Sequence, residues 1–322
     1  MITLEIEKAP DDNWNNRLLG SDGGNIYQTK EYGIHLKRMG QTPLFAKFID
    51  GKGNITGQLL FGSIPRFKNK GNMGKLLNIF PGIAKEIYRW TYGPVIFNNK
   101  FNDEIFVAIK KLIKLKQCLI YGKTNPFILN DVKSLEKNFR IKKWKTALIN
   151  LQEDKDTLYN NIDKHSGRKN IERSIKRCVS VEEITEKNIS EYVKLRNDTV
   201  TEETNKVTDK EMLDWLQLLR PIGYGGFMAR VNEIPIGGIF FSSFNKIIIE
   251  GGIARSKKDF ELKLYSQDLI KWKIIEWGIN NNMRFYDLAG FNPNPSNAKE
   301  EGIKRYKEKW GGKIVTYWIL SG

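Results

Sequence analysis

The hydrophobic and polar positions change period several times along the chain, and each change marks an expected element. Residues 30–38 carry a short helical pattern that stops at Gly40. Two strand-like runs come next, 43–49 and 55–65, separated by Asp50-Gly51-Lys52-Gly53-Asn54, a turn composition that predicts a β-hairpin. Residues 66–90 are basic at first (Arg66, Lys68, Lys70, Lys75), then apolar, and Pro81-Gly82 interrupts them. They read as a loop-helix packed on its own domain, or as a segment resting on a membrane surface or capping a groove. A strand is expected at 91–97, and a helix at 103–116 from the spacing of Ile105, Ile109 and Leu112. Buried strands at 118–121 and 145–149 complete a first unit that closes near Leu151.

The second half begins with a basic helical stretch, 156–179, whose core edge is Ile162, Ile171 and Ile175. Helices at 189–199 and 209–219 precede strands at 226–231, 235–242 and 246–254. A long helix over 262–279 aligns Leu262, Tyr265, Leu269, Trp272, Ile275 and Ile279, and a strand at 284–288 comes after it. Both halves thus repeat one order: hairpin strands, another strand, an amphipathic helix, a further strand. No clear residue identity accompanies the repeat, and a duplicated α+β unit is the economical explanation. A last strand, 313–320, can pair with either unit.

The candidate chemistry gathers at 282–312, NMRFYDLAGFNPNPSNAKEEGIKRYKEKWGG. Asp287 stands near the end of an apolar strand, a Gly/Asn/Pro turn succeeds it, and a helix over 299–310 is stopped by Gly311-Gly312. Ile303, Tyr306, Lys307 and Trp310 share one face of that helix, while Lys304, Arg305, Glu308 and Lys309 point elsewhere. A lysine on the packed stripe costs desolvation unless a partner or a substrate anion meets it. The alternative is a rim lysine that snorkels to water, and spacing alone favours that.

Composition narrows the partners. The 322 residues are 40% hydrophobic and 28% charged, enough for two cored domains, and the net charge is +16. Such an excess favours RNA, nucleotide-linked or phosphorylated substrates, or an anionic membrane surface, without choosing among them. On the 156–179 stretch Lys164, Arg168, Lys169, Arg173, Lys176 and Arg177 outnumber Asp163 and Glu172. They can track a phosphate backbone or simply be solvated, and no interleaved aromatics are there to stack bases. Cys118 and Cys178 have no CxxC spacing and read as free thiols of a reducing compartment. The N-terminus alternates and carries acids, unlike a signal peptide, and no window approaches ~20 apolar residues. A cytoplasmic protein is expected, with peripheral contact at the inner face of the membrane. His35 and His165 alone give little support to a zinc site or a serine triad, so no metal is expected.

Four segments in order carry a resemblance across almost the whole chain: IYQTKEYGIHLK, WTYGPVI, DKHSGRKNIERSIKRCVSV and FYDLAGFNPN…GIKRYKEKWGG. They resemble the Fem-type (FemX/FemAB) peptidoglycan bridge-forming aminoacyltransferases. The most specific part is Tyr286-Asp287-x-x-Gly290 with Gly302 and Tyr306-Lys307 after it. The resemblance implies an α+β fold of two tandem GNAT-like (acyl-CoA N-acyltransferase-like) domains, each a mixed sheet flanked by helices, with a groove between them. Domain boundaries are expected at 1–151 plus 313–322 and at 152–312, the second carrying the catalytic segment. The implied activity moves an amino acid from aminoacyl-tRNA, as co-substrate, onto an amino group of a nucleotide- or lipid-linked cell-wall precursor, with no tightly bound cofactor. By position, Lys307 would stabilise the transferring acyl group, Tyr306 would shape its pocket, and Lys37 would meet the precursor's phosphates. Asn125 stands where the family often has Asp, Glu250 where an aromatic is expected, and Thr201-Glu202-Glu203-Thr204-Asn205 where an Arg-rich segment is common. No long coiled-coil insertion is visible, which places the chain nearer FemX than FemA.

Acyl transfer from an ester to an amine needs a neutral amine and stabilisation of a developing oxyanion. Helix face and family position together make Lys307 the candidate for the second. Asp287 orients either the amine or only the loop beyond it; the proton goes to Glu250, to the substrate itself or to water. Asn125, Arg168 and Arg255 are further candidates for substrate binding. The rival enzyme is an acyl-CoA-dependent N-acyltransferase acting on a nucleotide- or lipid-linked sugar. Its pyrophosphate usually needs a Gly-containing turn at a helix start, and the segments before both amphipathic helices, 98–102 and 255–260, lack glycine. A third reading is a non-catalytic RNA- or membrane-surface-binding protein.

Overall fold

A computed structural model describes residues 2–67, 86–128, 132–200 and 206–322. Residues 68–85, most of the basic and apolar excursion, and 201–205 lie outside the described residues. The chain forms two compact units, Met1–Trp144 with Thr316–Gly322, and Lys145–Val315.

In the first unit β1 (Thr3–Glu7) pairs antiparallel with β2 (Thr42–Ile49), and β2 with β3 (Ile55–Pro65). The β2–β3 hairpin is the expected one, and the Asp50 carboxylate closes its turn by accepting the Lys52 and Asn54 amides, each at 2.9 Å. The sheet continues antiparallel to β4 (Glu86–Trp90), which runs parallel to β6 (Leu119–Lys123). The expected strand at 91–97 shrinks to β5 (Val95–Ile96), because Tyr92 is left-handed (φ 49°) and Pro94 has no N–H to give. The principal strand here is instead β4, inside the stretch expected to be loop and helix. After α1 (Trp14–Leu19), the Thr29 hydroxyl caps α2 (Lys30–Arg38) by accepting the Tyr32 amide at 3.1 Å. Gly40, at φ 72°, turns the chain beyond α2. Then α3 (Asn102–Lys116) buries Ile105, Phe106, Ile109 and Leu112 in the core of this unit. After α4 (Val132–Asn138), the chain enters the second unit along β7 (Arg140–Asn150) and returns along β13 (Lys313–Ser321). The end of β13 pairs antiparallel with β6, Leu320 opposite Gly122.

The second unit has the sheet order β7–β12–β11–β10–β9–β8, with β8 at Ser180–Glu183, β9 at Tyr224–Val231 and β10 at Ile234–Ser242. β11 (Ile247–Arg255) runs parallel to β12 (Phe285–Phe291), and β12 antiparallel to β7. Alternation on β10 feeds two cores: Ile239 and Phe241 join one, Phe240 the other with Tyr192 and Leu216. The 156–179 stretch is three pieces, α5 (Lys155–Asn161), a π-helical turn (Lys164–Arg168) and α6 (Lys169–Lys176). They part at Ile162, which is extended, and Asp163 caps the π-helical turn by accepting the His165 and Ser166 amides. Helices α7 (Ile189–Thr199) and α8 (Asp209–Leu219) lie where expected. The long helix starts later than expected: Tyr265, left-handed at φ 57°, separates α9 (Lys257–Glu261) from α10 (Ser266–Asn280). α10 is buried on nearly every side, Lys271 included. Last comes α11 (Ala298–Glu308). Cys118 is buried, Cys178 exposed, and both are free thiols. Among the described residues no helix is long and apolar enough to cross a membrane.

Candidate active site

The end of β12 is bulged. Asp287 stands opposite Leu148 of β7 and Gly290 opposite Thr146, so β12 carries an extra residue, and Ala289 takes it up in a left-handed conformation (φ 61°). The fully buried Asp287 carboxylate holds the bulge, accepting the Ala289 amide at 2.9 Å and facing the Thr146 hydroxyl. That hydroxyl also lies 2.8 Å from the Ala289 carbonyl. The bulge directs two successive carbonyls at one cation: the half-buried Lys307 ammonium donates to Ala289 O at 3.0 Å and to Gly290 O at 3.1 Å. The lysine expected on the packed stripe is therefore neither sealed nor trailing in solvent. It is a fixed, partly exposed charge at the carbonyl end of β12.

Beside it lies a buried ionic cluster. Glu250 on β11 and Lys271 on α10 form an ion pair with almost no exposure, and the Tyr286 hydroxyl donates to the same Glu250 oxygen at 2.6 Å. The Lys271 ammonium is ringed by Tyr286, Tyr306 and Trp310, at 5.6, 5.5 and 5.7 Å from the ring centroids. A second pair joins Lys309 to Asp268, and Asp268 also accepts from the Asn170 amide at 3.1 Å. Lys309 lies 4.2 Å from the Tyr306 ring centroid, so the ammonium groups of two different ion pairs flank this tyrosine. Burial outweighs pairing here: it raises the Asp268 carboxyl and lowers the Lys309 ammonium from their ordinary values. Burial also raises the Tyr286 and Tyr306 hydroxyls well above the usual phenol range, helped by Glu250 at Tyr286 and by Asp268 at Tyr306. The buried Tyr306 hydroxyl has no hydrogen-bond partner among the described residues.

Four of the expected residues, Lys307, Tyr306, Asp287 and Glu250, meet in this one neighbourhood of the second unit. Glu250, a candidate proton acceptor, has its carboxylate committed to Lys271 and Tyr286, which argues for a structural part. Asp287 braces the bulge just before the loop beyond β12. Arg255 forms an ion pair with the buried Asp259 and lies over the Phe260 ring at 3.4 Å. Arg168 donates to Asn160 at 3.0 Å, and its Nε is buried without a partner among the described residues. In the first unit Lys37 is exposed on α2. Asn125 is wholly buried there; its amide donates to Gly23 O at 2.7 Å and accepts from the Phe127 amide at 3.0 Å, so it stitches loops together. Two details of the α11 face differ from expectation: Ile303 is 39% exposed, and Lys309, expected to point away, is drawn inward by Asp268. Lys271, Asp268 and Thr146 were not anticipated. The one available signal was a lysine between Ile270 and Trp272 on a helix that lacks a wide polar face.

No family model matches the sequence, and no curated protein does either. Solved structures do match. The crystal structure of FemX superposes with a TM-score of 0.71 at 11% identity, covering 98% of this chain and 97% of that one. L-PGS from Bacillus licheniformis gives 0.57 at 12% identity over 98% of this chain and 93% of that one. A tandem GNAT protein from the clavulanic acid biosynthesis pathway gives 0.56 at 9% identity over 100% and 98%. The chain thus has a Fem-type double GNAT-like fold.

Proposed function

We propose that this protein is an acyltransferase that moves an aminoacyl group from aminoacyl-tRNA to an amine of a nucleotide- or lipid-linked cell-wall precursor, using Lys307. The observation that carries this reading is the Lys307 ammonium held on the Ala289 and Gly290 carbonyls. A cation fixed before the reaction needs no reorganisation when negative charge develops on an acyl oxygen, which is where catalytic stabilisation is largest. The neutral amine attacks the ester carbonyl, a C–N bond forms, and the oxygen's charge is met by Lys307. The C–O bond to the tRNA ribose then breaks, and the amine's proton passes to the departing ribose oxygen or to water, since Glu250 is sealed against Lys271. Asp287 and Thr146 hold the bulge that aims the lysine, and Tyr306 walls the site beside it. By family position, Lys37, exposed on α2, is the candidate for the precursor's phosphates.

The acyl-CoA reading is disfavoured by what occupies the head of α10. There the Ser266 amide already donates to the buried Asp259 carboxylate at 2.9 Å, so it is not free to cradle a pyrophosphate at that helix start. The deciding experiment offers radiolabelled amino acid on tRNA with a peptide-amine acceptor. Label should pass to the amine, and RNase should stop it. Transfer from acyl-CoA in the presence of RNase would establish the rival instead.

A further inference from the structure

We infer that the junction between the end of α6 and the α9–α10 turn is a docking surface for an anionic lipid bilayer. Phe260 at the end of α9 and Leu262 just after it are 59% and 52% exposed, and Ile175 near the end of α6 is 58% exposed. Exposed cations accompany them, Lys257 and Lys258 on α9, Lys263 on the turn, and Arg173, Lys176 and Arg177 on α6 and its end, against exposed Glu172 and Glu261. The two segments are tied together: the Arg177 guanidinium donates to the Leu262 carbonyl at 2.9 Å and also to that of Lys263. Arg173 and Arg177 lie 5.8 and 5.9 Å from the Tyr265 ring centroid.

The turn does not show its apolar side chains through looseness. Beneath it Leu264 is buried, its amide donates to Asp259 O at 3.0 Å, and the buried Asp259 carboxylate binds Arg255 and the Ser266 amide. A braced turn that presents a phenyl and an isobutyl group among lysines has the composition of an interfacial anchor. The apolar groups enter the headgroup–acyl boundary while the ammonium groups meet lipid phosphates. RNA fits this surface less well. Leu262 and Ile175 gain nothing from a phosphate backbone, and one face of the Phe260 ring, the only exposed ring on the turn, is already covered by Arg255. The inference does not depend on which acyl donor the protein uses.

Co-sedimentation with vesicles of phosphatidylglycerol and phosphatidylcholine, against phosphatidylcholine alone, tests it. The full chain should pellet with the anionic vesicles at ~0.1 M salt and be released as salt screens the attraction. Phe260→Ser/Leu262→Ser and Lys257→Glu/Lys258→Glu/Lys263→Glu should each weaken that partition at least ~10-fold. Both variants should keep the wild-type melting temperature and the wild-type rate with a soluble acceptor, so a failed docking surface and a failed transfer activity remain distinguishable. Equal binding by the wild type and both variants overturns the proposal, as does no binding to anionic vesicles. It is also overturned if charge reversal abolishes binding of bulk tRNA while leaving vesicle binding intact.

Discussion

Lys271 and Glu250 form an ion pair with almost no exposure, and the Tyr286 hydroxyl donates to the same carboxylate oxygen that the ammonium meets. Breaking such a pair from one side leaves a stranded charge in a medium that cannot solvate it.

Lys271→Met should therefore destabilise the protein by about 3–5 kcal/mol, read as a lowered urea midpoint, because Glu250 loses its cation. The double variant Lys271→Met/Glu250→Leu should recover most of that loss. If the single and double variants unfold at the same denaturant concentration, the pair is not the stabilising unit.

Lys307→Met removes a charge that faces the site. Acyl transfer should fall by ~10²-fold or more in kcat, as when an oxyanion partner is lost, while the melting temperature changes little. Wild-type turnover in this variant would remove the lysine from the mechanism.

Ala289 occupies a left-handed conformation that a small residue tolerates and a β-branched one does not. Ala289→Gly should shift stability by less than ~1 kcal/mol and retain transfer. Ala289→Val should cost ~1–3 kcal/mol and lower transfer as well, because the two carbonyls that hold Lys307 would be re-aimed. Denaturation and turnover measured on both variants check this.

His35 is buried on α2, and burial, with a smaller contribution from Arg38, lowers its pKa from 6.5 to about 4. The native imidazole stays neutral where the unfolded chain already takes up a proton. Its contribution to stability is thus complete above pH 6.5, declines as pH falls towards about 4, and is constant below that. The whole window amounts to about 3 kcal/mol. His35→Gln should flatten the unfolding free energy across this range, and an unchanged slope would count against the burial assignment.

The parts legible in the sequence were those whose determinants are local. Asp50 and Gly53 specify the β2–β3 turn, and the three- and four-residue spacing of Tyr306, Lys307 and Trp310 places them together whatever α11 packs against. Strand β4 was hidden because Glu86 and Arg89 dilute its apolar positions and Pro81-Gly82 stands just upstream. Lys271, Asp268 and Lys309 went unrecognised for a different reason. Their burial depends on partners from other elements, Glu250 on β11 and the rings of α11, and no window along one helix contains that information. The bulge escaped as well, since Ala289 carries no compositional sign of a left-handed residue.

The seven residues from Thr316 to Gly322 belong to the first unit although they are the last of the 322 to be made. They are integral there: Leu320 is fully buried, the Trp318 amide donates to the Thr124 hydroxyl at 2.9 Å, and Gly322 O accepts the Ile120 amide at 3.0 Å. On the ribosome the first unit must accordingly wait, one side of β6 unsealed, for roughly 10–35 s while residues 145–322 are translated. The second unit is itself finished only at Val315, so the two units reach their full complement of residues almost together, late in synthesis.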